Sequence, residues 1–197
     1  MQTTKSFLAC LFVCAQCLFA NAQSDTAIAT EKALFFADSL VKANFYQNWQ
    51  AYAALSCQSA INYYGGKEGF KEHLVLCYYR NEPKQEEKPE SLRMVHLMND
   101  VDQWQCVIEK VRRTWIDDKR ATMISYLVGQ SLDNGQTWKF VDVSHNSMEN
   151  LSHVMPAIFG TLPVPLSKRT FDDEVVQQEE TPAPATVKKK APQKKRK

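Results

Sequence analysis

Short turn signals cut residues 91–144 into four strand-like runs. Runs joined this closely can pair only with their sequence neighbours, antiparallel. Leu92, Met94, His96 and Met98 alternate with Arg93, Val95 and Leu97, and Asn99-Asp100 turns the chain. Gln103 to Ile116 is rich in Val, Ile, Thr and Trp, as strands are, and Asp117-Asp118 turns it. Arg120 to Gln130 runs to Asp133-Asn134-Gly135, a strong hairpin signal, and Thr137 to Ser144 is the last run.

Before Arg80 the hydrophobic period is helical. Leu34, Val41, Phe45, Trp49 and Tyr52 predict a helix over Glu31 to Leu55, with Asn44 and Asn48 marking a break. Cys57 to Tyr64 reads as a short strand, Gly65-Gly66 as a turn, and Lys67 to Arg80 as a helix burying Phe70, Leu74, Cys77 and Tyr78. Glu149 to Ile158 adds a short helix that Pro156 ends or kinks, and Pro163 and Pro165 keep Thr161 to Leu166 extended. Helices followed by an antiparallel meander make an α+β domain.

The net charge of +2 hides three regions: one basic residue in 1–22, −3 in 23–167 and +4 in 168–197. Lys5, the apolar run Phe7 to Ala20 and the small-x-small Ala20-Asn21-Ala22 predict a signal peptide over 1–22, too short to span a membrane. Residues 23–167 then form the folded, exported domain, placed in a periplasm or outside the cell. Residues 168–197 lack core-forming residues and are expected to be a disordered tail, with seven basic residues in Lys188 to Lys197. After export, Cys57, Cys77 and Cys106 remain; they read either as small buried hydrophobes or as one disulfide and a spare thiol.

Several segments carry a resemblance. Asn48-Trp49-Gln50-Ala51-Tyr52-Ala53-Ala54-Leu55, Tyr63-Tyr64-Gly65-Gly66-Lys67-Glu68-Gly69-Phe70 and Trp138-Lys139-Phe140-Val141-Asp142 are similar to passages of the nuclear-transport-factor-2-like superfamily. The likeness includes its SnoaL-like polyketide-cyclase and ketosteroid-isomerase branches. It covers about Ala33 to Ser144 and implies N-terminal helices packed in a strongly curved, cone-like sheet with a pocket at its open end. Ser131-Leu132-Asp133-Asn134-Gly135-Gln136-Thr137-Trp138 also resembles the Asp-box, Ser-x-Asp-x-Gly-x-Thr-Trp. Its residues have the chemistry of a turn, which predicts a structural role.

His96 reads either as a general acid or base or as a rim histidine satisfied by one hydrogen bond. Asp142 reads as a pocket base of raised pKa, as in the isomerase-like branch, or as a surface aspartate. Glu109 and Arg113 share a strand face with Trp115, and an ion pair there would hold a polar ligand or sit in solvent. Tyr63, Tyr64 and Tyr126 are the candidate donors. No metal-ligand spacing, nucleophile elbow or cofactor fingerprint appears.

These residues favour an exported accessory or binding protein with a pocket for a small apolar ligand or a protein partner, with no catalytic signature and no cofactor. The alternative is an isomerase or cyclase acting on a small apolar substrate. A homodimer through the sheet is a third arrangement. Lys188 to Lys197 suits an anionic envelope surface, and export disfavours nucleic acid.

Overall fold

A computed structural model describes residues 25–78, 87–100, 103–144, 148–155 and 162–172. The signal-peptide stretch with Cys10, Cys14 and Cys17, residue His145 and the Lys188–Lys197 cluster lie outside the described residues.

Helix α1 spans residues 25–45. Its buried stripe is Ala29, Ala33, Ala37, Leu40, Val41 and Asn44, the spacing of one helical face. Leu34, expected on the buried face, is only half-buried, because it sits beside the stripe of Ala33 and Ala37 and not in it. The break falls at the second of the two asparagines. Gln47 takes φ 55°, and the Asn48 side chain accepts from Ala51 N at 3.1 Å to cap α2, Trp49–Leu55. Asn44 stays inside α1. Cys57 to Tyr64 does not form the expected strand; Gln58–Tyr63 is helix α3, burying Ala60 and Ile61. Its apolar residues are too few for alternation to hold a strand. Gly65 and Gly66 both take positive φ and lead into α4, Gly66–Tyr78.

The sheet is antiparallel, in the order β1 (Ser91–Asp100), β2 (Gln103–Ile116), β3 (Lys119–Ser131) and β4 (Lys139–Asp142). Asp117 and Asp118 both take positive φ, the geometry of a two-residue hairpin loop. Helix α5 is Met148–Val154. A fifth strand, β5 (Lys168–Phe171), pairs with β3 through Ala121 to Ile124. The stretch expected to be a disordered tail from residue 168 therefore begins with four residues of sheet.

The strongly curved, cone-like sheet does not form: the sheet is open and not strongly curled. Residues of both strand parities are fully buried where β2 and β3 pair, including Cys106, Val107, Ile108, Leu127 and Val128. The sheet is thus covered on both faces there, which leaves no hollow of the kind a cone would enclose. Towards the Asp117-Asp118 turn, Arg113 and Trp115 are exposed.

The Asp-box-like hairpin is a closed hydrogen-bond set. Asp133 Oδ1 accepts from Thr137 N at 2.8 Å and from Ser131 Oγ at 2.7 Å, and Asp133 Oδ2 accepts from Thr137 Oγ1 at 2.6 Å. These bonds, the Thr137 hydroxyl first, outweigh desolvation and hold the Asp133 carboxyl down at about 2. Trp138 is fully buried and donates its indole N–H to Gly135 O at 3.0 Å. Gly135 has φ +79°, and an added Cβ would lie 2.9 Å from the Ala29 Cβ of α1. At Gly66, φ is +89° and the space is open. Gly135→Ala should therefore cost about 1–3 kcal/mol and Gly66→Ala less, because only Gly135 adds a clash to the strain. Urea unfolding of the two variants checks this; equal losses would mean that α1 does not rest on the hairpin.

Candidate functional site

The two candidate catalytic residues are not brought together. Asp142 is on β4 and His96 on β1, the two ends of the four-strand path, about 14 Å apart at ordinary strand spacing. The register puts Asp142 in a row with Leu127 and Ile108, and His96 opposite Val107, on the other face. His96 is exposed. Tyr64 and Asp142 border one cavity with Tyr52 and His73, but it holds about 20 Å³, room for one water and no substrate. Tyr64 stacks on His73 at 3.7 Å between ring centroids, and burial raises its phenol pKa. Tyr63 is exposed and Tyr126 is buried.

Glu109 does not pair with Arg113. It takes both guanidinium bonds of Arg93 at 3.0 Å, directly across the β1–β2 register. Cross-strand partners are about 5 Å apart, whereas residues four apart on one strand are about 13 Å apart, so the neighbouring strand wins. Arg113 and Trp115 line a separate cleft near the Asp117-Asp118 turn, where the Arg120 guanidinium lies 5.1 Å from the Trp115 ring centroid.

Asp142 is buried in an ion pair that the sequence reading missed. Lys110 Nζ donates to its Oδ2 at 2.5 Å, and Ser144 N and Oγ donate to its Oδ1 at 2.9 and 2.5 Å. Burial favours the neutral acid, but the Lys110 ammonium and the bonds from Lys110 and Ser144 outweigh it, so the Asp142 pKa is lowered. That is the opposite of the raised pKa expected of a pocket base, and both carboxylate oxygens are engaged.

A chamber opens beside this pair. On the outer edge of β3, β4 ends at Asp142 opposite Leu127, and β5 begins at Lys168 opposite Ile124. The gap between them leaves a space of about 300 Å³. Lys110, Arg112 and Arg169 line it, and Arg112, Met123 and Arg169 form one row across β2, β3 and β5. Lys168 stands at its edge. Asn44, near the end of α1, and Glu90, just before β1, complete the wall. Asn44 and Glu90 are buried, and among the described residues Asn44 Oδ1 and Glu90 Oε2 have no hydrogen-bond partner. Both oxygens are sealed from solvent and do not open on the chamber. A larger groove, about 720 Å³, runs over α2 and α4, but its buried polar residue, Ser56, already donates to Tyr52 O at 2.9 Å.

The chain matches no family model, no curated protein and no solved structure. Among the described residues, no three His, Cys, Asp or Glu side chains gather as a metal ion would require, and no helix is long and apolar enough to cross a membrane.

Cys57, Cys77 and Cys106 are free thiols. Burial pushes the Cys57 thiol up to about 12, against a smaller opposing effect of Lys139, and raises Cys106 as well. Cys77, half-buried, is raised less and touches His73 at 3.6 Å. Native alkylation followed by peptide mass mapping should therefore label Cys77 well before the other two. Equal labelling of all three would mean that the α2–β4 packing opens readily.

The chamber residues left a partial trace in the sequence. Lys110 has the same strand parity as Cys106 and Ile108, which signals a lysine drawn into the core. Lys168 and Arg169 were counted with the tail because that segment has no core residues of its own, and Asn44 looked like a helix break.

Proposed function

We propose that this protein is an exported binding module and that the chamber between β4 and β5 is its ligand site. The observation that carries this reading is the gap between β4 and β5, where Lys110, Arg112 and Arg169 line one space and Arg112 and Arg169 flank Met123 in a single cross-strand row. Cavities of about 300 Å³ are at the lower end for small-molecule sites. Lys110 is neutralised by Asp142; Arg112 and Arg169 against Glu90 leave a formal +1, which favours an anion. Binding is favoured over acid–base catalysis because Asp142 is ionised and saturated, and because His96 is on the other face. The signal-like residues up to Ala22 support export. Helices preceding an antiparallel sheet are shared with the nuclear-transport-factor-2-like superfamily, and that order supports a distant relationship; the open chamber replaces the cone's pocket.

Thermal unfolding in phosphate, compared with chloride at equal ionic strength, tests the reading. A ligand at 100 times its dissociation constant stabilises by about 2.7 kcal/mol, which for a domain this size raises Tm by roughly 5–10 °C. The rise should disappear in the Arg112→Gln/Arg169→Gln double variant. An equal rise in the variant, or none in the parent, would remove the chamber as an anion site.

A further inference from the structure

The groove over α2 and α4 is separate from the chamber, and the two share no lining residue. It encloses about 720 Å³, well inside the usual range of small-molecule sites, about 300–1,000 Å³. The corner between α1 and α2 builds one wall. Gln47 turns the chain at φ 55°, and Gln47, Asn48, Trp49 and Gln50 follow one another along the groove. Asn48 is fixed there by its cap bond from Ala51 N. With Gln58 of α3, four side-chain amides line one space, and each carries both donors and an acceptor. Trp49 is half-buried and Ile61 is buried, so the same space has an apolar part.

The charge of the groove is one-sided. Lys67 and Lys71 of α4 and Lys139 of β4 line it against one carboxylate, Glu68, a formal +2 where residues 23–167 sum to −3. Among the described residues, no carboxylate forms an ion pair with any of these three lysines. Lys139 Nζ donates to Ala54 O at 2.5 Å, which holds its ammonium at the groove with two further N–H groups to give.

We propose that this groove binds a short carboxylated oligosaccharide, the chemistry of a uronic acid chain. Trp49 supplies a flat apolar face for a pyranose ring. The four amides meet sugar hydroxyls, which likewise both donate and accept. The lysines meet the carboxylates through charge-assisted bonds. No arginine is among the described lining residues, which favours carboxylates spread along a chain over one phosphate held by a guanidinium fork. This is a second site, independent of the chamber.

Calorimetric titration of the purified protein with digalacturonate, galactobiose and succinate tests it. Galactobiose keeps the sugar rings and loses the carboxylates; succinate keeps two carboxylates and loses the rings. Digalacturonate should bind about tenfold or more tightly than either. Lys67→Gln/Lys71→Gln should weaken its binding about tenfold and flatten the dependence on salt. Trp49→Ala should weaken both sugars, and Trp49→Phe should restore part of the loss. Circular dichroism checks the fold, and the lysine variant changes only exposed residues, so it decides the placement even if Trp49→Ala does not fold. Equal binding of galactobiose would overturn the carboxylate, and equal binding of succinate would overturn the saccharide. No binding of digalacturonate, or unchanged binding in the lysine variant, would overturn the site and leave the chamber proposal standing.

Discussion

Lys110→Met should destabilise the protein by about 3–5 kcal/mol, the usual cost of stranding one member of a buried ion pair. The Lys110 and Asp142 side chains are 4% and 3% exposed and 2.5 Å apart. Removing the ammonium leaves the Asp142 carboxylate in the interior without its cation, although Ser144 still donates to it. Lys110→Met/Asp142→Asn should recover about 1–2 kcal/mol of the loss, because a neutral amide still accepts from Ser144 without burying a charge. Denaturant unfolding checks both; a single-variant loss below about 1 kcal/mol would place the pair in water. The pair also sets an acid limit. The Asp142 pKa is lower in the folded chain than in the unfolded one, so the unfolded chain takes up the proton first. Its stabilisation is complete above the ordinary carboxylate range and is lost as pH falls through the folded pKa, from about pH 4 downwards. Asp133 adds to the same window, between the ordinary value and about 2. Asp142→Asn should therefore flatten the acid side of the stability curve.

Trp138→Ala should cost a similar amount, about 3–5 kcal/mol, through lost burial and the cavity left behind. Trp138 has no solvent exposure, stacks with Phe140 at 6.5 Å between ring centroids, and bonds to Gly135 O. Its loss removes the indole bond to Gly135 O and the ring that stacks on Phe140. Tm should fall by roughly 10 °C. Trp138→Phe keeps most of the apolar area and loses the indole bond, so it should cost markedly less. Equal losses in the two variants would assign the effect to the indole N–H alone.

What was legible in the sequence was local. Alternation and turn chemistry placed β2 to the residue, and the Asp133 and Trp138 roles were readable because their hydrogen bonds close within one hairpin, whereas the contact of Gly135 with Ala29 of α1 was not. The Cys57–Tyr64 segment was misread because six helical residues give periodicity too little length to register. The candidate site was largely illegible because its partners are distant in the chain. Lys110 and Asp142 are 32 residues apart, and Glu109 finds Arg93 across 16. Such pairings depend on strand register, and register is a property of the assembled sheet. The same holds for β5, whose Lys-Arg-Thr-Phe has no alternation of its own and is ordered by the free edge of β3.

The central claim is that the gap between β4 and β5 is a ligand site, and the most direct test is a ¹H–¹⁵N titration with glycerol 3-phosphate. Saturable shifts should concentrate at the amides of Ser125, Ser144, Lys168 and Arg169, around the chamber. Shifts confined to the Asp117-Asp118 turn or to the groove over α2 and α4, or no saturable shift at all, would contradict it.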